Sequence, residues 1–337
     1  VQAEACLGDT AAPICDGVEM TRAHIADPDL GTKLSRGDMV RPCLRCNQAC
    51  QVRDARNPIV SCIVEPTSGH ETRDPDWVSP APTRRRVLVI GAGPAGLEAA
   101  RVAAMRGHDV TIVDRRSVPG GLARVSGPAA PFVDWQRHEV ERLGVRLVLS
   151  SEADSHLASC DVVIQATGSR PGTPDIELAD GATLVDVADI HLGEVTLPEQ
   201  GPIVVLDPIG GPIGVHLAEM LGDRCVLVTP DNIAGNELSR TGDLAPANVR
   251  LAQRGVMIHR RSVPRSVTKR PDGTSILRIQ DRFSGECTDI ECAAVVDAGF
   301  RLPSDPLDVG SRPLIPVGDC VAPRTVLTAV PPGRRAP

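Results

Sequence analysis

The feature that most constrains the fold is a glycine-rich turn between a short apolar strand and a helical segment. Residues 87–90 read Val-Leu-Val-Ile, residues 91–96 read Gly-Ala-Gly-Pro-Ala-Gly, and a second apolar strand covers residues 110–113. In such a βαβ unit the first glycine permits the tight turn, the second lets a pyrophosphate approach the backbone, and the third lets the helix pack on the strand. The sequence therefore predicts a dinucleotide-binding fold whose helix N-terminus faces phosphate groups.

Residues around this turn are expected to contact FAD. Asp114 ends the next strand at about the 20-residue spacing expected for a carboxylate that binds a ribose hydroxyl; the alternative is a solvated strand end. An Ala-Thr-Gly segment and a Gly-Asp segment end two later apolar strands. Either alone is common turn chemistry, but their order after the glycine turn favours cofactor contacts. The expected FAD-binding residues are Gly91, Gly93, Pro94, Ala95, Gly96, Asp114, Arg115, Gly121, Ala166, Thr167, Gly168, Gly318 and Asp319.

A second strand, glycine turn and helix follow within residues 203–228, although an Asp-Pro pair separates the strand from its glycines. The next strand ends without a carboxylate for a ribose 2′-hydroxyl or an arginine for a 2′-phosphate, so the choice between NADH and NADPH stays open. We expect a nicotinamide nucleotide here; the alternative is a fold retained for packing or for a non-reacting nucleotide. The expected binding residues are Gly210, Gly211 and Gly214, with Arg240 as a phosphate candidate.

Four of the eleven cysteines, Cys43, Cys46, Cys50 and Cys62, have the spacing C-x2-C-x3-C-x11-C. Three thiolates in one tight loop can hold three corners of a 4Fe-4S cluster, and the fourth closes it. Structural zinc is the alternative, but zinc sites generally pair two short C-x2-C knuckles. A thioredoxin-like redox pair is disfavoured because the motif lies outside any βαβ unit. The pattern predicts an iron–sulfur cluster.

Composition excludes several classes of function. A formal net charge of −7 provides no basic surface for nucleic acid. No apolar stretch approaches the roughly 20 residues that cross a bilayer. The start of the chain lacks the pattern of a secretory signal, and clustered cysteines then favour a reducing, cytoplasmic compartment. We expect no nucleic-acid and no membrane partner.

These motifs resemble the two-flavin iron–sulfur enzymes of the Old Yellow Enzyme type, typified by 2,4-dienoyl-CoA reductase and trimethylamine dehydrogenase. The resemblance rests on the cysteine segment at residues 41–50 with Cys62, the first glycine turn, the Ala-Thr-Gly segment and residues 318–324. In order and spacing these cover essentially the whole chain, and the cysteine spacing looks more like that of the reductase. Residues 239–244 and 321–327 look most similar to members associated with the mycofactocin system.

In this family a TIM barrel that binds FMN and the substrate comes before the segment seen here, which implies that the chain is the C-terminal part of a longer protein. Arg22 would then lie near the FMN phosphate. The implied fold class is α/β, with two Rossmann-like nucleotide-binding domains, of FAD and NAD(P) type, after an iron–sulfur segment and the C-terminal end of the barrel. The implied boundaries are 1–42 for the barrel remnant, 43–83 for the iron–sulfur segment and linker, 84–200 and 297–337 for the FAD domain, and 201–296 for the NAD(P)-binding-like domain.

The resemblance implies an NAD(P)H oxidoreductase, inactive on substrate alone, that passes electrons through FAD and the 4Fe-4S cluster to FMN in the absent barrel, where an activated C=C bond is reduced. The alternative is an amine-dehydrogenase-like or docking module whose second fold binds a non-reacting nucleotide. No nucleophile and base stand at catalytic spacing, so catalytic residues stay unknown. A homo-oligomer is expected only from the resemblance. Pro331 and Pro332 are expected to interrupt a terminal helix.

Overall fold

The computed structural model describes residues 17–51, 60–72, 74, 76–77, 79–125, 129–323 and 326–336. In these residues the helices are α1 Thr21–Ala26, α2 Leu30–Arg36, α3 Pro94–Met105, α4 Gly121–Val125, α5 Ala130–Arg142, α6 Asp154–Leu157, α7 Val187–His191, α8 Pro212–Leu221, α9 Leu244–Gln253 and α10 Val326–Arg335.

The strands of the same residues are β1 Arg86–Ile90, β2 Asp109–Val113, β3 Arg146–Val148, β4 Val162–Gln165, β5 Ser169–Pro171, β6 Glu177–Leu178, β7 Val185–Asp186, β8 Ile203–Leu206, β9 Cys225–Val228, β10 Met257–His259, β11 Ser262–Lys269, β12 Ser275–Asp281, β13 Cys287–Cys292, β14 Ala294–Asp297, β15 Arg301–Pro303 and β16 Leu314–Pro316.

The first sheet contains five parallel strands in the order β16-β4-β1-β2-β3. All four residues of β4 are buried, which is the pattern of a strand covered on both faces. The alanine-rich α3 lies on this sheet because its small side chains allow close approach, and Leu97, Ala99, Ala100 and Ala103 are fully buried there. The last strand to join, β16, comes from the far end of the sequence and pairs with β4.

The second sheet also has five parallel strands, in the order β10-β9-β8-β14-β7. Helices α8 and α9 contribute Leu217 and Leu251 to the core on one face. The other face packs on a four-stranded sheet, β13-β12-β11-β6, through side chains such as Leu206 and Leu277. The α/β class with parallel sheets is thereby confirmed.

The chain passes from the first sheet to the second and back at adjacent points. The short strands β5 and β15, which lie on these two passages, pair antiparallel with Leu302 opposite Arg170. Arg301 donates to both carboxylate oxygens of Asp186, at 2.8 and 3.0 Å, in the second sheet. The two passages are therefore tied to each other and to β7.

The structure leaves the prediction for the N-terminal segment untested and contradicts the prediction for the C-terminal helix. Residues 1–16 lie outside the described part, and residues 17–42 contain α1 and α2 but no strand, so the barrel remnant stays a prediction. The expected interruption of the terminal helix is wrong, because α10 runs through Pro331 and Pro332. Its packing explains this: Gly333 contacts Ala95 and Arg334 is buried in ion pairs. In the part of the chain that the structure describes, no helix has the length and apolarity needed to cross a membrane.

Candidate cofactor sites

The first glycine turn is shaped by close contacts at its two ends and by open space in its middle. Gly91 has φ +107°, and a Cβ there would lie 2.2 Å from the Ala166 carbonyl oxygen. A Cβ on Gly96 would lie 2.0 Å from the Gly91 carbonyl oxygen. At Gly93, by contrast, a Cβ would meet no described atom within 4 Å. The turn therefore excludes larger residues at its ends and leaves a cradle that a pyrophosphate can approach.

Asp114 stabilises this turn from the neighbouring strand end. The Ala92 N–H donates to its Oδ2 at 2.7 Å and the Arg116 N–H donates to its Oδ1 at 2.8 Å. Each carboxylate oxygen has further acceptor capacity, so a ribose hydroxyl can still donate to it. Arg115 is exposed beside it. The predicted ribose contact thus has a second, structural role in ordering the glycine turn.

The other predicted FAD contacts converge on the same edge of the first sheet, because parallel strands end together there. Gly318, at φ +71°, lies against α3, since a Cβ there would come 2.6 Å from the Ala95 Cβ. A Cβ on Gly121 would lie 3.9 Å from the Gly93 Cα. No described side chain caps the N-terminus of α3. The structure brings together, at the carboxyl ends of β1, β2, β4 and β16, Gly91, Gly93, Pro94, Ala95, Gly96, Asp114, Gly121, Ala166, Thr167, Gly168, Gly318 and Asp319.

The four predicted metal ligands line one small pocket together. Cys43, Cys46, Cys50 and Cys62 surround it with Arg22 and Asn47. The Arg22 guanidinium donates to the Asn47 Oδ1 at 2.7 Å, and the Asn47 amide donates to the Thr241 carbonyl at 3.1 Å. Arg22 therefore lies at the cysteine pocket, and its contact with an FMN phosphate stays a prediction. Asn47, which the sequence reading missed, links this pocket to the second nucleotide fold.

The backbone of the cysteine loop is arranged to donate to sulfur. Arg45 and Asn47 have positive φ values of 56° and 53°, which is uncommon outside glycine. The Arg45 N–H donates to the Cys43 Sγ at 3.5 Å. Burial raises the pKa of Cys46 to about 11, while the Gln48 N–H acts in the opposite direction. N–H donors to thiolate are among the interactions that set the properties of iron–sulfur sites, so the loop fits such a group.

A single metal ion fits less well. Among the described residues, no three Cys, His, Asp or Glu side chains lie close enough to hold one ion. The four cysteines line one pocket, and the iron–sulfur cluster stays a prediction.

A buried network of charges, which the sequence reading did not find, joins the cysteine segment to the first fold. Arg41 pairs with Glu65, which flanks the cysteines on the other side, and Arg334 pairs with both Glu65 and Glu98. Arg101 pairs with Glu98 at 2.8 Å. Every member is nearly inaccessible to solvent. The only sequence signal is a charged pair at i,i+3 in the otherwise apolar α3.

The pKa values in this network follow from burial and charge together. Burial lowers the pKa of Arg41 to about 10, with Arg101 acting in the same direction, and its guanidinium lies 4.4 Å over the Trp135 ring. Burial alone would raise the pKa of Glu98, but Arg101 and Arg334 hold it well below its usual range. Glu98 is therefore ionised, and it anchors two arginines inside the protein.

The second glycine turn differs because a carboxylate of the chain fills it. Asp207 is 1% exposed, and its Oδ1 accepts from the Gly210 N–H at 2.8 Å and from the Ile209 N–H at 3.3 Å. A Cβ on Gly214 would lie 2.9 Å from the Asp207 Cγ, so the carboxylate touches the first turn of α8. Burial raises the pKa of Asp207 to about 6.

The second turn is also covered. Both Gly210 and Gly211 are buried, and a Cβ on Gly210 would lie 2.7 Å from the Asn236 backbone nitrogen. Arg240, the predicted phosphate ligand, is 77% exposed and pairs with Glu237 at 3.0 Å. The structure therefore brings the three glycines together at the start of α8 and leaves Arg240 at the surface.

Comparison with known proteins supports this organisation. A family described as an NAD(P)-binding Rossmann-like domain matches residues 89–159, which contain the first glycine turn. A probable N-methylproline demethylase of Rhizobium meliloti is 34% identical over 64% of this chain and 33% of its own length. A multifunctional alkene reductase/demethylase OYE of Caballeronia cordobensis is 34% identical over 68% of this chain and 35% of its own. The chain thus spans about a third of these curated relatives.

Solved structures agree with these relatives. Histamine dehydrogenase from Rhizobium sp. 4-9 has a TM-score of 0.79 at 26% identity, covering 93% of this chain and 53% of the solved one. A 2-naphthoyl-CoA reductase has a TM-score of 0.81 at 28% identity, covering 93% and 49%. The relatives of this chain are thus oxidoreductases of the group that includes 2,4-dienoyl-CoA reductase, Old Yellow Enzyme and trimethylamine dehydrogenase, which confirms the resemblance at that level.

Proposed function

We propose that the chain is the electron-transfer part of an iron–sulfur flavoprotein oxidoreductase. In this proposal FAD lies in the first fold, a 4Fe-4S cluster is held by the four cysteines, and a nicotinamide nucleotide binds the second fold. When bound, the flavin exchanges hydride for single electrons, which the cluster can carry. A preceding barrel with FMN would reduce an activated C=C bond. We further propose that the enzyme is cytoplasmic and that it is associated with the mycofactocin system, on the resemblance of residues 239–244 and 321–327.

The observation that carries the proposal is the junction between the cysteine pocket and the first fold. Ala123 of α4, which begins at Gly121 beside the glycine turn, packs against the core of the first fold and also against the core under the cysteines. That second core includes Ile63, Phe132 and Trp135. The apolar core beside the glycine turn and the apolar core under the cysteines therefore meet at Ala123.

The charge network holds this junction in one geometry. Arg41 and Glu65 lie on the two flanks of the cysteine segment, and Glu98 lies in the helix that begins at the glycine turn. Electron transfer between two groups depends steeply on their separation. Residues that fix the separation are therefore part of the proposed function, although they touch neither group.

The ligand assignment can be tested by iron and sulfide analysis of the anaerobically reconstituted chain. We expect Cys46→Ala to lose iron relative to the unaltered chain, because one corner of the cluster is unheld. Cys287→Ala is the matched control, since Cys287 is exposed on β13 and far from the motif in sequence. Equal iron content in the two variants would remove the cysteine assignment.

The electron route can be tested by anaerobic absorbance titration of the same chain with NADPH and then NADH. Bleaching of flavin and cluster bands together is the expected result, and the effective nucleotide identifies the donor. A flavin that binds but stays oxidised with both nucleotides would contradict a reacting second site. It would favour the amine-dehydrogenase-like or docking alternative.

A further inference from the structure

The amide groups of the second glycine turn already have an anionic partner. The Asp207 Oδ1 accepts from Gly210 and Ile209, and the Gly211 amide also faces the carboxylate. Its Oδ2 accepts no hydrogen bond from any described residue although it is buried. A carboxylate with one unpartnered buried oxygen lies at the N-terminus of the ten-residue helix α8.

In a nucleotide-binding strand–turn–helix unit, this position is where the ligand's phosphate groups bind. Backbone N–H groups at the helix N-terminus, together with the helix dipole, bind the pyrophosphate of a dinucleotide. Two anions cannot share these donors without strong repulsion. The nearby Asp231 adds a further negative charge, which also acts on Asp207.

We propose that Asp207 is a specificity-determining residue of the second fold, because its carboxylate occupies the position that a nucleotide pyrophosphate would take. The ionised residue selects against dinucleotides and diphosphates at this turn. The inference rests on the proposed function in one respect, namely that the second fold is the nucleotide site. It adds that the carboxylate of Asp207 weakens pyrophosphate binding at this site, so that a nucleotide binds there against a repulsive charge.

The surroundings of Asp207 support this inference independently of its charge. Residues 235–238 lie over the turn, and the Glu237 N–H donates to the Gly210 carbonyl at 3.0 Å. Gly214 leaves room for the carboxylate, since any side chain at that position would collide with it. The packing of the turn is thus matched to an internal carboxylate.

The test compares the whole chain with its Asp207→Asn variant. Asparagine keeps the Oδ1 acceptor for the Gly210 N–H, removes the charge, and replaces Oδ2 with an NH2 group of similar size. Asp223→Asn is the matched control, because Asp223 is exposed in the same fold and also removes one negative charge. Isothermal titration with ADP, NADH and NADPH measures binding, and adenosine serves as the probe without phosphate.

We expect Asp207→Asn to bind ADP and at least one dinucleotide roughly tenfold more tightly or better, because one repulsive charge has been removed. Adenosine binding should not change, and Asp223→Asn should behave as the unaltered chain. Unchanged or weaker ADP and dinucleotide binding by Asp207→Asn would overturn the inference. So would an equal gain for adenosine, because this would indicate a general opening of the fold.

Flavin absorbance recorded in the same samples separates this inference from the proposed function. If Asp207→Asn binds dinucleotide tightly but its flavin stays oxidised, the inference holds and the proposed electron route fails. If both chains bind equally and their flavin is reduced, the route holds and the inference fails. If neither chain binds any nucleotide, both fail. Retained FAD and an unchanged circular dichroism spectrum show that the variant has folded.

Discussion

The two glycine turns of this chain share a sequence pattern and differ in where their acid stands. In the first turn Asp114 comes from the following strand, receives the Ala92 N–H, and leaves Gly93 facing open space. In the second turn Asp207 comes from the preceding strand and points into the turn, where it receives the amide groups itself. The position of one carboxylate therefore decides whether a turn presents donors to a ligand or consumes them.

The helices that follow the two turns also differ, in how deeply their ion pairs are buried. Glu98 of α3 is fully buried between Arg101 and Arg334, whereas Glu219 of α8 pairs with the partly exposed Arg250 at 3.0 Å. The first helix is fixed through buried charges to the cysteine segment, and the second has only a peripheral ion pair. We therefore expect the ion pairs of the first helix to contribute more to stability than the ion pair of the second.

The largest effect expected from this difference is that of Glu98→Gln. It leaves the buried Arg101 without its carboxylate and, among the described residues, Arg334 with Glu65 alone, and breaking a buried ion pair costs about 3–5 kcal/mol. Glu219→Gln, at the equivalent helix of the second fold, should cost less than about 1 kcal/mol. Urea unfolding of both variants measures the free energies. Similar losses in the two would show that the helices are anchored equally.

A somewhat smaller loss is expected for Gly96→Ala. Its methyl group would meet the Gly91 carbonyl oxygen and the Ala166 Cβ, so the helix must move away from the strand. Overpacking of this kind costs roughly 1–3 kcal/mol. Gly93→Ala is the matched variant, since its methyl group meets open space. We expect it to keep its stability, measured by urea unfolding, but to lose bound FAD; the reverse ranking would contradict the assigned roles.

Next in size is the effect of pH on the stability difference between Asp207→Asn and the unaltered chain. Burial raises the pKa of Asp207 from its ordinary 3.8 to about 6. A raised carboxyl pKa means that Asp207 stabilises the fold while protonated, and that this stability is lost as the pH rises through about 6. Between pH 5 and 8 the variant should therefore gain roughly 1–1.5 kcal/mol of stability over the unaltered chain, because the rest of the change lies below pH 5.

Urea unfolding of both chains at several pH values between 5 and 8 measures the difference in their free energies of unfolding. This interval brackets the shifted pKa of Asp207. Other titrating groups cancel in the difference between the chains. The advantage of the variant should grow as the pH rises through about 6 and should then stay constant. A difference that is constant with pH would mean that Asp207 does not titrate in this interval.

The smallest effect is expected at Arg240. It is 77% exposed, and among the described residues its ion-pair partner is Glu237 at the surface. Arg240→Ala should change ADP affinity by no more than about threefold, because exposed charges are screened and contribute little. Titration calorimetry checks it beside Asp207→Asn. A larger loss would restore Arg240 as a phosphate ligand.

The features that could be predicted from the sequence depend on contacts between residues that are close in the sequence. Gly91 and Gly96 were predictable because the backbone of a strand–turn–helix unit requires glycine there, whatever the rest of the chain does. The inward direction of the Asp207 side chain was not predictable, because the Asp-Pro pair is equally consistent with a simple interruption of the turn. The network of Arg41, Glu65, Glu98 and Arg334 was not predictable either, since its members lie on segments far apart in the sequence.

The late arrival of β16 and α10 also has a consequence for biosynthesis. A ribosome delivers β1 to β4 first, but the neighbour of β4 and the helix that covers Ala95 follow only after the entire second sheet. During that interval the nascent chain has an unprotected strand edge at β4, which is a template for misassembly. The second fold can form while the first is incomplete, so protein quality control would encounter the first fold in its unfinished form.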